Sequence, residues 1–228
     1  MFESTLEEYA KREPPGTDAW NPLFSDLEFW HRVRLFSCMK DGLQILNADP
    51  KSLNVLDVGC GVGRSTRLLL EFGVSPENIV GIDIRESAIE LARRLNPGIE
   101  YICINRENDW PRLGRFDLCM QCTVFGSIKG RESRSYVADK MQTAIHGQGH
   151  IFWWDGIYAN DFAGRDELDA SSLFPRMRAE LVRYLPLRPT LPEVDEGQHG
   201  IGKRIINFLQ PLARVKTTHC FAVFGPPE

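Results

Sequence analysis

The stretch Val55-Leu56-Asp57-Val58-Gly59-Cys60-Gly61-Val62-Gly63-Arg64-Ser65-Thr66 constrains the fold of this chain more than any other. A β-branched, apolar run over residues 53–58 leads straight into three glycines at alternate positions, and helix-compatible residues 64–70 follow. Glycine admits left-handed backbone and lets a ligand touch the main chain. A helix that begins just beyond such a turn presents unpaired N–H groups and the positive end of its dipole. Strand, glycine loop and helix in that order make a nucleotide site.

The glycine spacing separates two kinds of nucleotide. A dinucleotide turn uses Gly-x-Gly-x-x-Gly to seat a pyrophosphate on the helix. Here the glycines are 59, 61 and 63, and, counted from Gly61, the third position of that pattern is Thr66. Asp57, just ahead of the loop, would repel a pyrophosphate and suits an ammonium or sulfonium group. Asp83 ends the next predicted strand, residues 79–83, at the distance from the loop that ribose recognition requires.

The pattern Asp-x-Gly-x-Gly-x-Gly, followed by an acid at the end of the second strand, resembles class I S-adenosylmethionine (SAM)-dependent methyltransferases. Residues 116–121 resemble the fourth strand of that fold, and residues 147–155 its turn into the fifth. Residues 122–128, Trp153-Trp154-Asp155, residues 172–175 and Thr218-His219 occur in an order similar to that of a branch of small bacterial enzymes associated with saccharide or natural-product biosynthesis. The resemblance covers roughly residues 40–224.

That resemblance implies an α/β fold: a Rossmann-like, doubly wound, mostly parallel sheet with an N-terminal helical segment and a cap insertion after strand five. It implies SAM as cofactor and methyl transfer to a small-molecule acceptor. O-methylation of a sugar or glycosylated metabolite leads. N-methylation of an amine or amino sugar, and SAM binding without turnover, are the alternatives. The implied cofactor contacts are Asp57, Gly59, Cys60, Gly61 and Gly63 in the loop, Asp83 on the ribose hydroxyls, Ile84 against the adenine, and backbone groups at Gln121 and Cys122 beside the methyl donor. The chain departs from the family where many relatives carry Gly-Asp-Ala after strand three. By count the adenine-binding acid falls on Arg106, and Glu107 or Asp109 takes the role after a shift of one or two residues.

Methyl transfer asks little of a protein, because the sulfonium is already activated and alignment supplies much of the rate. An alcohol acceptor still benefits from a base. Asp155, at the end of the predicted fifth strand, is the first candidate and His31 the second. His199 and His219 are further candidates, although His219 lies inside a predicted strand and reads as a core histidine.

At 228 residues the chain divides into a helical segment, residues 1–50, and a cofactor domain, residues 51–228, with residues 156–200 inserted as a mobile cap that governs acceptor choice. Ser25 with Glu28 forms a capping box opening a helix that runs to about Leu46. Strands over 53–58, 79–83, 99–104, 116–121 and 149–155 alternate with helices over 64–73, 86–95 and 132–145. A helix over 169–184, another over 202–209 and a last strand over 217–224 complete the reading.

A net charge of −4 and the absence of a basic stripe argue against nucleic-acid binding. Cys119-x-x-Cys122 has no second Cys or His pair at zinc-like spacing, so no metal is expected, and the six cysteines read as small buried hydrophobes of a reduced, cytoplasmic protein. No apolar run approaches the ~18 residues that span a bilayer. The expected partner is therefore a small-molecule acceptor, not nucleic acid or membrane, for a monomer or homodimer.

Overall fold

The computed structural model describes residues 6–7, 25–104, 110, 115–159, 163–164, 166–186 and 218–227. Arg106, Glu107, Asp109, His199 and the helix expected over 202–209 lie outside them.

Helix α1 (Asp26–Leu46) starts at its expected cap, where Ser25 Oγ accepts a hydrogen bond from the Glu28 N–H at 3.3 Å. Strands β1 (Val55–Val58), β2 (Ile79–Asp83), β3 (Glu100–Cys103), β4 (Phe116–Cys122), β5 (Ile145–Gly156), β6 (Arg178–Leu185) and β7 (His219–Gly225) form one sheet in the order β3-β2-β1-β4-β5-β7-β6. The first five are parallel, and β7 runs antiparallel between β5 and β6. Helices α2 (Thr66–Glu71), α3 (Glu86–Leu95), α4 (Arg131–Ala144) and α5 (Ala170–Leu173) fill the connections. Every residue of β1 is buried, as a central parallel strand requires.

Two apolar layers cover the sheet. One gathers Leu35, Met39, Leu69, Phe152 and Trp154, the other Phe125, Met141, Trp153 and Phe174. Successive strand residues point to opposite faces, which sends Trp153 and Trp154 into different layers. Trp153 meets the Phe125 ring at 4.5 Å and the Phe174 ring at 6.0 Å. The same alternation separates Cys119 from Cys122, three residues on, so the pair faces opposite layers; both are free thiols.

The chain departs from expectation after β5. Residues 169–184 are not one helix: α5 covers four residues, and residues 178–185 form the edge strand β6, with a register shift between Ala179 and Leu181. Ala179, Glu180, Leu181 and Arg183 favour a helix by intrinsic propensity. Pairing with β7 and placing Leu181 and Leu185 against the α1 layer outweigh that preference. Part of the stretch expected to be a cap therefore extends the sheet.

Helix α1 is seated by a close approach. A Cβ added to Gly42 would lie 2.7 Å from Phe152 Cζ and 3.1 Å from Phe221 Cζ, both in buried rings. Gly42→Ala is expected to cost about 1–3 kcal/mol through overpacking, measured as a lower urea midpoint. Unchanged stability would mean that α1 can move away from the sheet without loss.

Candidate active site

The sheet order runs one way from β1 to β3 and the other way from β4 to β5. A crevice opens outside the carboxyl ends at such a reversal. The glycine loop leaves β1 there and is bound to β2: the Gly59 and Cys60 N–H groups donate to Ile82 O at 2.7 and 3.0 Å. Gly59 and Gly63 have φ of +68° and +77°. A Cβ at Gly59 would collide with Val124, and one at Gly63 with Tyr101 and Asn96, so backbone and neighbours both require glycine.

Beneath the loop lies Asp57, fully buried. Thr66 Oγ1 donates to its Oδ2 at 2.5 Å. Its Oδ1 has no hydrogen-bond partner among the described residues, and neither has Tyr101 Oη. Burial pushes the Asp57 carboxyl up to about 7, against the Thr66 bond and with added repulsion from Asp83. Asp83 is also buried: its Oδ2 accepts from the Gly61 N–H at 2.9 Å, and its Oδ1 accepts from the Arg85 N–H at 2.9 Å and from Arg85 Nε at 3.2 Å. Ile84, next to it, is partly buried against the core, and Cys60 is buried within the loop.

The end of β4 is braced by side chains. Gln121 Nε2 donates to Trp154 O at 3.3 Å while its Oε1 accepts from the Val124 N–H at 3.0 Å. Cys122 is partly buried, and Thr123 after it has φ of +60°. That conformation strains a β-branched residue. It is held by a 2.7 Å bond from the Thr123 N–H to Trp154 O.

Asp155 lies under the turn that follows. Its Oδ2 accepts from the Gly126 N–H at 3.2 Å and its Oδ1 from the Gly156 N–H at 2.9 Å. Burial pushes this carboxyl up to about 7 despite those bonds. Arg134, also buried, ties the same turn to the segment after β5: its Nε donates to Ile128 O at 2.9 Å, its Nη1 to Asp166 at 3.0 Å and its Nη2 to Ala163 O at 3.3 Å.

The first turns of α1 flank the exit of the loop. Glu28 pairs with Arg64 at 3.4 Å, and Arg32 Nη1 donates to Arg64 O at 3.4 Å. Between them, His31 Nε2 accepts from the Trp154 indole N–H at 2.8 Å, which places the ring proton on Nδ1. His219 stacks on Trp154 with centroids 5.4 Å apart and stands 5.8 Å from His31. Burial lowers both imidazoles to about 4, with His219 and Arg64 adding to the shift of His31.

Those of the residues singled out by sequence that are described thus converge at one end of the sheet, with one separation. Asp155 shares a strand face with Trp153, while His31 sits on Trp154, so the two candidate bases occupy opposite faces of β5. Thr66, Tyr101, Arg85 and Arg134 had no signal in the glycine spacing. Thr66, Tyr101 and Arg134 enter through contacts made across the fold, and Arg85 through its place two residues after Asp83.

Residues 55–146 match the methyltransferase domain family. These residues form a class I SAM-dependent methyltransferase domain. The chain is accordingly a methyltransferase, and SAM is its cofactor. Solved structures share the fold over nearly the full length. The N-methyltransferase NodS from Bradyrhizobium japonicum, in complex with S-adenosylhomocysteine (SAH), aligns with a TM-score of 0.65 at 16% identity, over 99% of this chain and 100% of its own. A TehB-like SAM-dependent methyltransferase from Corynebacterium glutamicum aligns at 0.58 and 19% identity, over 96% and 97% of the two chains. A putative sarcosine dimethylglycine methyltransferase from Galdieria sulphuraria aligns at 0.61 and 13% identity, over 86% of each. No curated protein sequence matches the chain.

The two raised carboxyls of this methyltransferase make its stability depend on pH. Asp57 and Asp155 ionise near 3.8 when unfolded and near 7 when folded. Between those values the unfolded chain releases protons that the folded chain keeps, so their contribution falls as pH rises through that window and levels off above it. Asp155→Asn is expected to shrink the difference in urea midpoint between pH 5 and pH 8. An undiminished difference would show that Asp155 does not titrate on unfolding.

Proposed function

We propose that the enzyme transfers the methyl group of SAM to a small-molecule acceptor, with a hydroxyl of a sugar or glycosylated metabolite as the leading target. The observation that carries the cofactor side is the buried Asp57 Oδ1, unpaired among the described residues, under a glycine loop, with a second carboxylate, Asp83, at the end of the adjacent strand. A buried acceptor without a donor is costly. The ammonium of the methionine portion supplies one, directly or through water. Asp83 suits the ribose hydroxyls, Ile84 the adenine ring, and the loop from Gly59 to Gly63 leaves main chain open to the ligand. Arg106 and Glu107 are assigned to the far side of the adenine, and the backbone at Gln121 and Cys122 to the donor end.

Bound SAM supplies an activated methyl group, so the chain's own work is to align the acceptor and manage one proton. Asp155 and His31 remain the proton-handling candidates, and their surroundings divide the roles. Both Asp155 oxygens hold backbone N–H groups, which suits positioning the turn after β4. His31, neutral and fixed by Trp154, presents a donor at Nδ1, which suits orienting an acceptor hydroxyl. Acceptor choice is assigned to the residues of 156–200 on either side of β6, with Arg134 tying the first of them to the β4 turn. The chain's negative charge favours a small molecule over nucleic acid. Among the described residues no helix is long and apolar enough to cross a membrane. We assign the enzyme to the cytoplasm, as a monomer or homodimer.

An amine acceptor is the second reading. The N-methyltransferase NodS matches over the whole chain, and a neutral amine needs no strong base.

Titration calorimetry with SAM, SAH and NAD tests the cofactor side. SAM and SAH are expected to bind and NAD is not. Asp83→Ala is expected to weaken SAM binding about tenfold or more, the loss of at least one charge-assisted bond. Preferential NAD binding would overturn the reading, and unchanged SAM affinity in the variant would remove Asp83 from the site.

A further inference from the structure

Arg85 stands two residues after Asp83, immediately ahead of α3, and spends its side chain on the same carboxylate. The Arg85 N–H and Nε both donate to Asp83 Oδ1, and the Gly61 N–H donates to Oδ2. The guanidinium also lies across the glycine loop: a Cβ built on Gly61 would be 3.3 Å from Arg85 Nη2. The side chain is largely buried, at 16% exposure, so it rests in the crevice and does not extend into solvent. It therefore covers two features at once, the carboxylate assigned to the ribose and the glycine that leaves main chain open to a ligand.

The backbone and side-chain contacts of Arg85 with Asp83 differ in kind. The backbone bond orients Asp83 and survives any change of side chain. The guanidinium bond takes carboxylate capacity and the space above Gly61, both of which a ribose needs. An arginine side chain can turn away without any change of fold, because its stem is flexible.

We propose that Arg85 competes with the cofactor for Asp83: its side chain must leave the carboxylate before the ribose binds, and this exchange sets cofactor affinity. The inference rests on the assignment of Asp83 and the glycine loop to SAM. Its consequence follows from population arithmetic, since a site that is open only part of the time binds more weakly by that fraction. The competing contact is an ion pair, so salt weakens it and opens the site, whereas cofactor binding to an arginine-free site has no such term.

Calorimetry with SAH on the full chain tests this in the wild type, Arg85→Ala and Arg85→Gln, at about 0.05 and 0.5 M salt. Both variants are expected to bind SAH about three- to tenfold more tightly than the wild type at low salt. The wild type is expected to tighten as salt rises, and the variants are not. Equal or weaker SAH binding by both variants, or salt dependence parallel to that of the wild type, would overturn the proposal. It would make Arg85 a support for Asp83 or a bystander while leaving the cofactor assignment intact. Absence of SAH binding in the wild type and both variants would overturn the assignment itself. Thermal melting of each variant verifies the fold, and Gln retains the hydrogen-bonding stem should Ala unfold.

Discussion

A carboxylate enclosed in the middle of a sheet is the constraint around which this molecule is arranged. Asp57 belongs to a strand buried on both faces, where an isolated charge is strongly disfavoured. The fold answers with one short bond from Thr66 and with a carboxyl that holds its proton to about 7. It leaves the second oxygen without a partner among the described residues. A structural carboxylate would be fully bonded. One that is half bonded, under a loop whose backbone only glycine can follow, is the feature on which the proposed cofactor contact rests.

The end of β5 organises the other half of the site by alternation. Trp153 and Asp155 face one layer, where Asp155 secures the turn after β4 and Arg134 ties that turn to the next segment. Trp154 faces the other, where its indole orients His31 and its ring carries His219. Its carbonyl also accepts from the Thr123 N–H and from Gln121, so a single residue supports both the strained end of β4 and the imidazoles beside it. Movement of α1 would be felt on both sides of the crevice, since its first turns hold Arg64 while His31 holds Trp154.

Much of this was legible in the chain. Alternating glycines, an acid before them and an acid ending the next strand are local signals, and each reports a backbone requirement or a charge that no other residue type meets. The capping box at Ser25 and the strands of the parallel core are local in the same sense, because buried strands must be apolar along their length. Only tertiary structure made residues 178–185 a strand, since pairing with β7 outweighed their helical preference. Only tertiary structure put Asp155 and His31 on opposite faces and paired Trp154 with two histidines. These are contacts between side chains far apart in sequence or turned by strand alternation. The sequence by itself determined which residues line the end of the sheet. Which of them touch was decided by packing, because burial assigns partners to polar groups only after the layers have closed.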